Sequence, residues 1–235
     1  MFAYLPYALR YYARSYRYVP PLLLFFVAIS MFYKDPTNQV LSSLSFGNFV
    51  IFLTVVWLAN GYIELEHETQ QQLSILHIGS AGKYYLAKLL FISCAAVLLA
   101  VYTLLYPLAL RVFTAPVTAT ELLVSFAAYV STALLGVSVG IFFNGKLIAR
   151  KSRGILLLFL FSVLSLAGKS IADQFPHSVG ILALLLPPVS QTVNVVSSWM
   201  SLSGSTRVWG LVWPFVYSFA CMGLYLKLMS RGRVH

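Results

Sequence analysis

Glu64, Glu66 and Glu68 stand within five positions of one another, with His67 among them. They are half of the six acidic residues in the chain. Carboxylates beside an imidazole could bind a hard metal or move protons. Yet alternating positions on a helix point such ligands in different directions, and no second ligand cluster lies in the segment, so no metal site is expected. The next stretch, Gly79-Ser80-Ala81-Gly82-Lys83-Tyr84, imitates a phosphate loop. That motif needs glycine where His77 stands and Ser or Thr where Tyr84 stands, so no nucleotide is expected there. Asp173 and His177 are the only acid and the only histidine between Lys169 and Arg207, and no Ser-His-Asp spacing accompanies them. Cys94 and Cys221 lie in apolar runs and read as small buried hydrophobes, which leaves neither a disulfide framework nor a zinc site. No catalytic set emerges, and the chain is not read as an enzyme.

The elements that carry these residues follow from how few charges there are. Only 9% of the 235 residues are charged and 60% are hydrophobic, against about 25% charged in a soluble domain. This is the composition of an all-α integral membrane protein. A helix crossing about 30 Å of hydrocarbon needs about 20 apolar residues. Six candidates appear: Val19–Tyr33, Val40–Ile63, Leu86–Leu110, Leu122–Phe143, Ile155–Ala172 and Val208–Met229. The first is short and begins with Pro20-Pro21, which suits a helix start or a sharp bend. It resembles a signal sequence only loosely and is expected to be retained.

Six spans put both termini on one side. Twelve basic residues then fall in the segments of that side, and only Lys34, Arg111, Lys169 and Arg207 on the other. The positive-inside rule places both termini in the cytoplasm of a multi-pass cell-membrane protein. The net charge of +10 belongs to a membrane surface, not to nucleic acid. His177–Met200 contains no Lys, Arg or acid, but Pro187-Pro188 splits it. It reads as an outer re-entrant hairpin over residues 173–206 between the last two spans, covered by protein or a wet cavity.

Two polar segments carry most of the information. In residues 1–18, Arg10, Arg14 and Arg17 fall on one helical face, while Phe2, Leu5, Leu9, Tyr12 and Tyr16 follow a 3-4-3-4 rhythm on another. This is an amphipathic helix lying on the inner membrane surface. Residues 64–88 form the longest inner loop. Its three carboxylates sit at a helix C-terminus, where the macrodipole disfavours them. Compensation must come from the basic N-terminal helix or from another protein. Thr69 is expected to cap a short helix with Gln70, Gln71 and Gln72 on its polar face and Leu73, Ile75, Leu76 and Ile78 on its apolar one. Gly79 and Gly82 end it, and Ser80 caps the third span. Such a helix suits a groove on a soluble partner. The basic stretch from Asn144 to Gly154 reads as a stop signal touching anionic headgroups.

This order of parts resembles the membrane subunit of ABC-2 type exporters. The resemblance is most specific over Glu64–Leu90, where Glu66, Glu68, Thr69, Leu73, Ser80 and Lys88 occupy places comparable with the family pattern. Glu68 stands where that pattern has glycine, the proline before the turn is absent, and Ala87 replaces the glycine before Lys88. Leu186-Pro187-Pro188-Val189-Ser190 also looks like the family segment before its last outer helix. The resemblance implies one transmembrane domain over residues 1–235, acting as a homodimer or heterodimer of permeases with a separate ATP-binding cassette subunit. ATP and magnesium would sit on that partner, and this chain would hold no cofactor. Arg10, Arg14 and Arg17 would belong to an elbow helix. Glu66, Glu68, Thr69, Leu73 and Leu76 would contact the ATPase through the coupling helix Glu68–Ile78. A lipid, hydrophobic peptide or amphipathic drug would pass between the permeases, with Asn48, Ser162 and Ser165 as polar points on its path. The competing expectations are a non-transporting membrane scaffold or immunity protein and a lipid-modifying enzyme. The last is disfavoured by the missing acid, histidine or cysteine constellation.

Overall fold

A computed structural model of the chain describes residues 4–37, 39–144, 151–174 and 186–231. Among these residues the fold is all helix: α1 (Tyr4–Ser15), α2 (Val19–Phe32), α3 (Val40–Ile63), α4 (Glu68–Ile78), α5 (Ala81–Ala109), α6 (Ala119–Phe142), α7 (Lys151–Gln174), α8 (Val189–Ser197) and α9 (Gly204–Arg231). Phe2, Lys146, Arg150, His177 and the first limb of the expected hairpin lie outside the described residues.

Four helices are long and apolar enough to cross a bilayer: α3, α5, α6 and α9. A fifth candidate arises if α1 and α2, which meet at 81°, count as one broken span. The 14 residues of α2 reach about 21 Å at 1.5 Å per residue, short of the hydrocarbon thickness. The apolar part of α7, Ser152–Gly168, is similarly brief. The chain is thus a multi-pass helical membrane protein by these elements.

α3 and α6 form the centre. Two thirds or more of their most apolar windows are buried, against a third or less in α5 and α9. The close fit has a simple cause: α6 presents Gly136 and Gly140, one turn apart, to α3. A Cβ at Gly140 would lie 2.6 Å from the Val56 carbonyl oxygen and 2.7 Å from the Ala59 Cβ. Small residues at four-residue spacing allow backbones to approach this closely within a membrane. Asn60 of α3 donates through Nδ2 to the Phe143 carbonyl at 2.8 Å, and so satisfies the open end of α6. At the other end of α6, Thr118 and Glu121 form a reciprocal capping box.

The helix ends sort into two groups. At one, Tyr225 of α9 lies 6.1 Å from the Tyr85 ring of α5 and 6.0 Å from the Phe142 ring of α6. α1 and α4 sit at the same end. At the opposite end, Thr37 pairs by backbone hydrogen bonds with Val112 and Thr114. The N-terminal helix and the last turns of α9 therefore lie at the same end of the bundle.

α8 begins directly after Pro188 and packs against α3, α7 and α9. Its nine residues span about 14 Å, too little to cross. Cys94 corrects an expectation: it is exposed on the outer face of α5, while Cys221 is partly covered. Facing lipid satisfies an apolar thiol as well as a protein core does.

Candidate functional site

The loop after α3 and the short helix α4 are held by one buried ion pair. Lys88 Nζ lies 2.9 Å from Glu66 Oε2, with the two side chains 1% and 3% exposed. The Tyr84 hydroxyl donates to the same carboxylate oxygen. The ammonium also lies 5.0 Å from the centre of the Tyr84 ring and 5.8 Å from that of Tyr62, within the range of cation–π attraction. A helix-borne lysine this deep needs a partner, and Glu66 supplies it from the loop. The compensation for Glu66 thus comes from α5.

From this clasp α4 is built outward. It starts at Glu68, with His67 in the capping position and no side-chain cap. Thr69 therefore lies inside the first turn and does not cap it. Gln71 is buried and donates through Nε2 to the Glu66 carbonyl at 3.0 Å. Ile75 and Ile78 follow on the same inward face and pack on the core. Gly79 stops the helix with φ +77°, a left-handed conformation that glycine adopts without strain. Gly82 lies within α5, and Ser80 precedes it without a side-chain cap bond.

The expected single apolar face is divided. Leu73 and Leu76, one turn apart, point away from the protein and are 62% and 77% exposed. Of the expected partner contacts, Glu68, Thr69, Leu73 and Leu76 are exposed and Glu66 is buried. The Tyr11 hydroxyl of α1 donates to Gln70 Oε1 at 2.7 Å, joining the two surface helices.

α1 differs from its sequence reading at its end. The helix stops at Ser15, and Tyr16 takes φ +55°. Arg17 thereby leaves the face of Arg10 and Arg14, and its guanidinium donates to the Glu64 carbonyl at 3.2 Å. Arg10 and Arg14 remain exposed beside the stacked rings of Tyr7 and Tyr11. Ala8 and Tyr12 face inward, whereas Leu9 and Tyr16 are exposed. Tyr12 packs edge-on against Tyr62 at 5.2 Å, and burial pushes its phenol well above the usual range.

The three polar points expected along a substrate path face the packed interior. Asn48 is buried between α3 and α6, where its Oδ1 accepts from Thr132 at 3.0 Å. Ser162 and Ser165 bond back to the carbonyls of Leu158 and Phe161 at 2.7 and 2.6 Å. The two serine hydroxyls thus satisfy carbonyls of their own helix.

A cavity of about 420 Å³ lies behind α4, between the end of α3, the start of α5 and the end of α9. Glu64, Glu66, Glu68 and Arg17 line it together with Gln71, Tyr85 and Tyr225. It was not anticipated, because its two tyrosines are distant in sequence. One signal for the clasp was legible: Lys88 stands two residues inside an apolar span, where an ionisable group calls for a partner.

Compared with known proteins, the chain matches no family model, no curated protein and no solved structure. Its functional reading rests on these residues and their geometry.

Proposed function

We propose that this chain is the permease subunit of an ATP-driven exporter, moving a hydrophobic or amphipathic substrate across the cytoplasmic membrane. Two such permeases, alike or different, would work with a separate ATP-binding cassette subunit. The observation that carries this reading is the Leu73–Leu76 ridge. Two leucines held out from a short helix are unfavourable in water and fit a groove on a soluble partner. The clasp beneath gives the ridge a firm seat: motion forced on α4 passes through Glu66 and Lys88 into α5. The ridge, α1 and the end of α9 would all face the cytoplasm.

Co-purification tests this directly. Replacing Leu73 and Leu76 by aspartate leaves the inward face of α4 intact but places charge on the ridge. Burying an unpaired carboxylate in an apolar groove costs several kcal/mol, and each 1.4 kcal/mol is about tenfold in affinity. The expected outcome is loss of ATPase capture, with membrane insertion and thermal stability retained. Undiminished capture would reject the assignment.

In this reading α2 and α7 complete six crossings despite their brevity, and the segment before α8 turns back within the outer face. A variant lacking Cys94 and Cys221 supplies the background for the test. Single cysteines at Gln71 or Lys151 are expected to resist an impermeant thiol reagent in intact cells, while those at Thr37, Thr118 and Ser203 react. Labelling at Gln71 from outside would invert the topology.

A further inference from the structure

We propose that α1 binds the headgroup of an anionic phospholipid through Arg10 and Arg14. The two arginines are exposed one turn apart, and α1 carries no acidic residue to offset them. Neither guanidinium has a hydrogen bond or an ion pair among the described residues. With Pro6, Tyr7 and Tyr11 they line a groove of about 450 Å³ on the helix surface. Guanidiniums present forked N–H donors that match the oxygens of a phosphate. Arg17 does not join them, because it is drawn to the Glu64 carbonyl.

The position of the groove makes the anion a lipid. α2 contains no charged residue, and Leu23, Leu24, Phe26, Val27 and Met31 are exposed along it. Such a surface belongs in hydrocarbon. α1 meets α2 at 81°, so it lies nearly in the plane of the bilayer. Ala8 and Tyr12 mark the buried line of α1. At about 100° per residue, Leu9 and Tyr11 fall about 80° to either side of that line.

The two flanks differ in what they meet. The Tyr11 flank is held to α4, where Gln70 Oε1 accepts from the tyrosine hydroxyl at 2.7 Å. The Leu9 flank is open: Leu9 is 58% exposed, and Ala13 beside it is exposed too. An apolar flank turned away from a polar neighbouring helix is the one that meets acyl chains. Arg10 stands opposite the buried line, between the flanks, and Arg14 about 40° from it on the tyrosine side. The pair therefore sits at headgroup height on the perimeter of the protein, with its stems over apolar surface and its charges in the polar layer. The stacked rings of Tyr7 and Tyr11 suit the same layer. A soluble acidic partner would leave the Leu9 flank uncovered. The proposal goes beyond the exporter reading, rests on the membrane fold alone and requires no ATPase.

The test uses the purified full chain in a nonionic detergent, titrated with phosphatidylglycerol labelled on an acyl chain and read by fluorescence anisotropy. Phosphatidylcholine with the same labelled chain is the zwitterionic counterpart. Phosphatidylglycerol is expected to bind saturably and to be preferred by about tenfold or more. A basic residue at an anionic membrane surface contributes about fivefold, so Arg10→Gln with Arg14→Gln should weaken phosphatidylglycerol by about twentyfold and leave phosphatidylcholine unchanged. Both side chains are exposed, so the thermal midpoint should match that of the parent. In the parent itself, added salt should weaken phosphatidylglycerol selectively, which tests the charge without any substitution. Leu9→Gln should weaken both lipids, and Lys34→Gln, an exposed cation at the opposite end of the bundle, should change neither. Equal binding of the two lipids, salt-independent binding, an unweakened double variant or an equal response to Lys34→Gln would each overturn the site. Displacement of the labelled lipid by glycerol phosphate would make the groove a free-phosphate site, and displacement by polyglutamate a protein-docking face; either overturns the lipid assignment. Loss of phosphatidylglycerol selectivity with normal ATPase capture rejects this inference alone. Selectivity without ATPase capture rejects the exporter reading alone.

Discussion

Lys88→Met should destabilise the folded chain by about 3–5 kcal/mol, the usual cost of removing one partner from a buried ion pair. The substitution keeps the length and most of the volume of the side chain, so the loss is electrostatic and not a cavity effect. It leaves Glu66, whose side chain is 3% exposed, with the Tyr84 hydroxyl as its remaining identified donor. The double variant Glu66→Gln/Lys88→Met removes both charges and should recover a large part of the loss. The recovery matters more than the single value, because a double-mutant cycle isolates the pair from packing changes common to all variants. Thermal midpoints of the purified protein measure all four species. A single variant within about 0.5 kcal/mol of the parent would show that the pair is not buried in solution. Because Glu66 joins the loop to α5, the single variant should also expose the peptide between Glu64 and Gly79 to protease before the rest of the bundle opens.

The surface helices were legible in the sequence to the extent that local chemistry decides them. The bounds of α3 and α4 follow from an apolar run and from a glycine stop, and both match their sequence readings. What failed depended on contacts between distant elements. A helical wheel places Leu73, Ile75, Leu76 and Ile78 together, yet only Ile75 and Ile78 meet the core, because Gln71 one turn earlier is drawn inward by the Glu66 carbonyl. Glu66 itself looked like a surface carboxylate among others. Its burial is decided by Lys88 and Tyr84, which are distant in sequence and which helix periodicity cannot connect to it. Arg17 left the basic face because the chain turns sharply between α1 and α2. Asn48, Ser162 and Ser165 were polar points in apolar runs, and a polar group in a helix can satisfy itself on its own backbone. The serines do so, and Asn48 pairs with the neighbouring α6.

Gly140→Leu should cost more than any substitution on the surface of α4, and the reason lies in how α3 and α6 meet. At Gly140 an added Cβ would fall 2.6 Å from a backbone oxygen and 3.2 Å from the Asn60 amide nitrogen of the same helix. Backbone atoms cannot rotate away as a side chain can, so the helices must separate. Overpacking of this kind typically costs 1–3 kcal/mol for added methylenes, and more where the neighbour is rigid. The separation would also break the bond from Asn60 to the Phe143 carbonyl, leaving the end of α6 open. Gly136, where the nearest approaches are 3.0 and 3.1 Å, should tolerate alanine with a smaller loss. The ordering of three variants, Gly136→Ala, Gly140→Ala and Gly140→Leu, in increasing destabilisation is therefore expected. A chain in which Gly140→Leu retains the parent's thermal midpoint would mean that α3 and α6 are not in backbone contact, and with that the placement of Asn60 and of the end of α6 would fall. If the contact holds, Asn60→Ala in the parent should lose about 1 kcal/mol through the uncapped carbonyl. In the Gly140→Leu background it should lose little, because the bond it would remove is already gone.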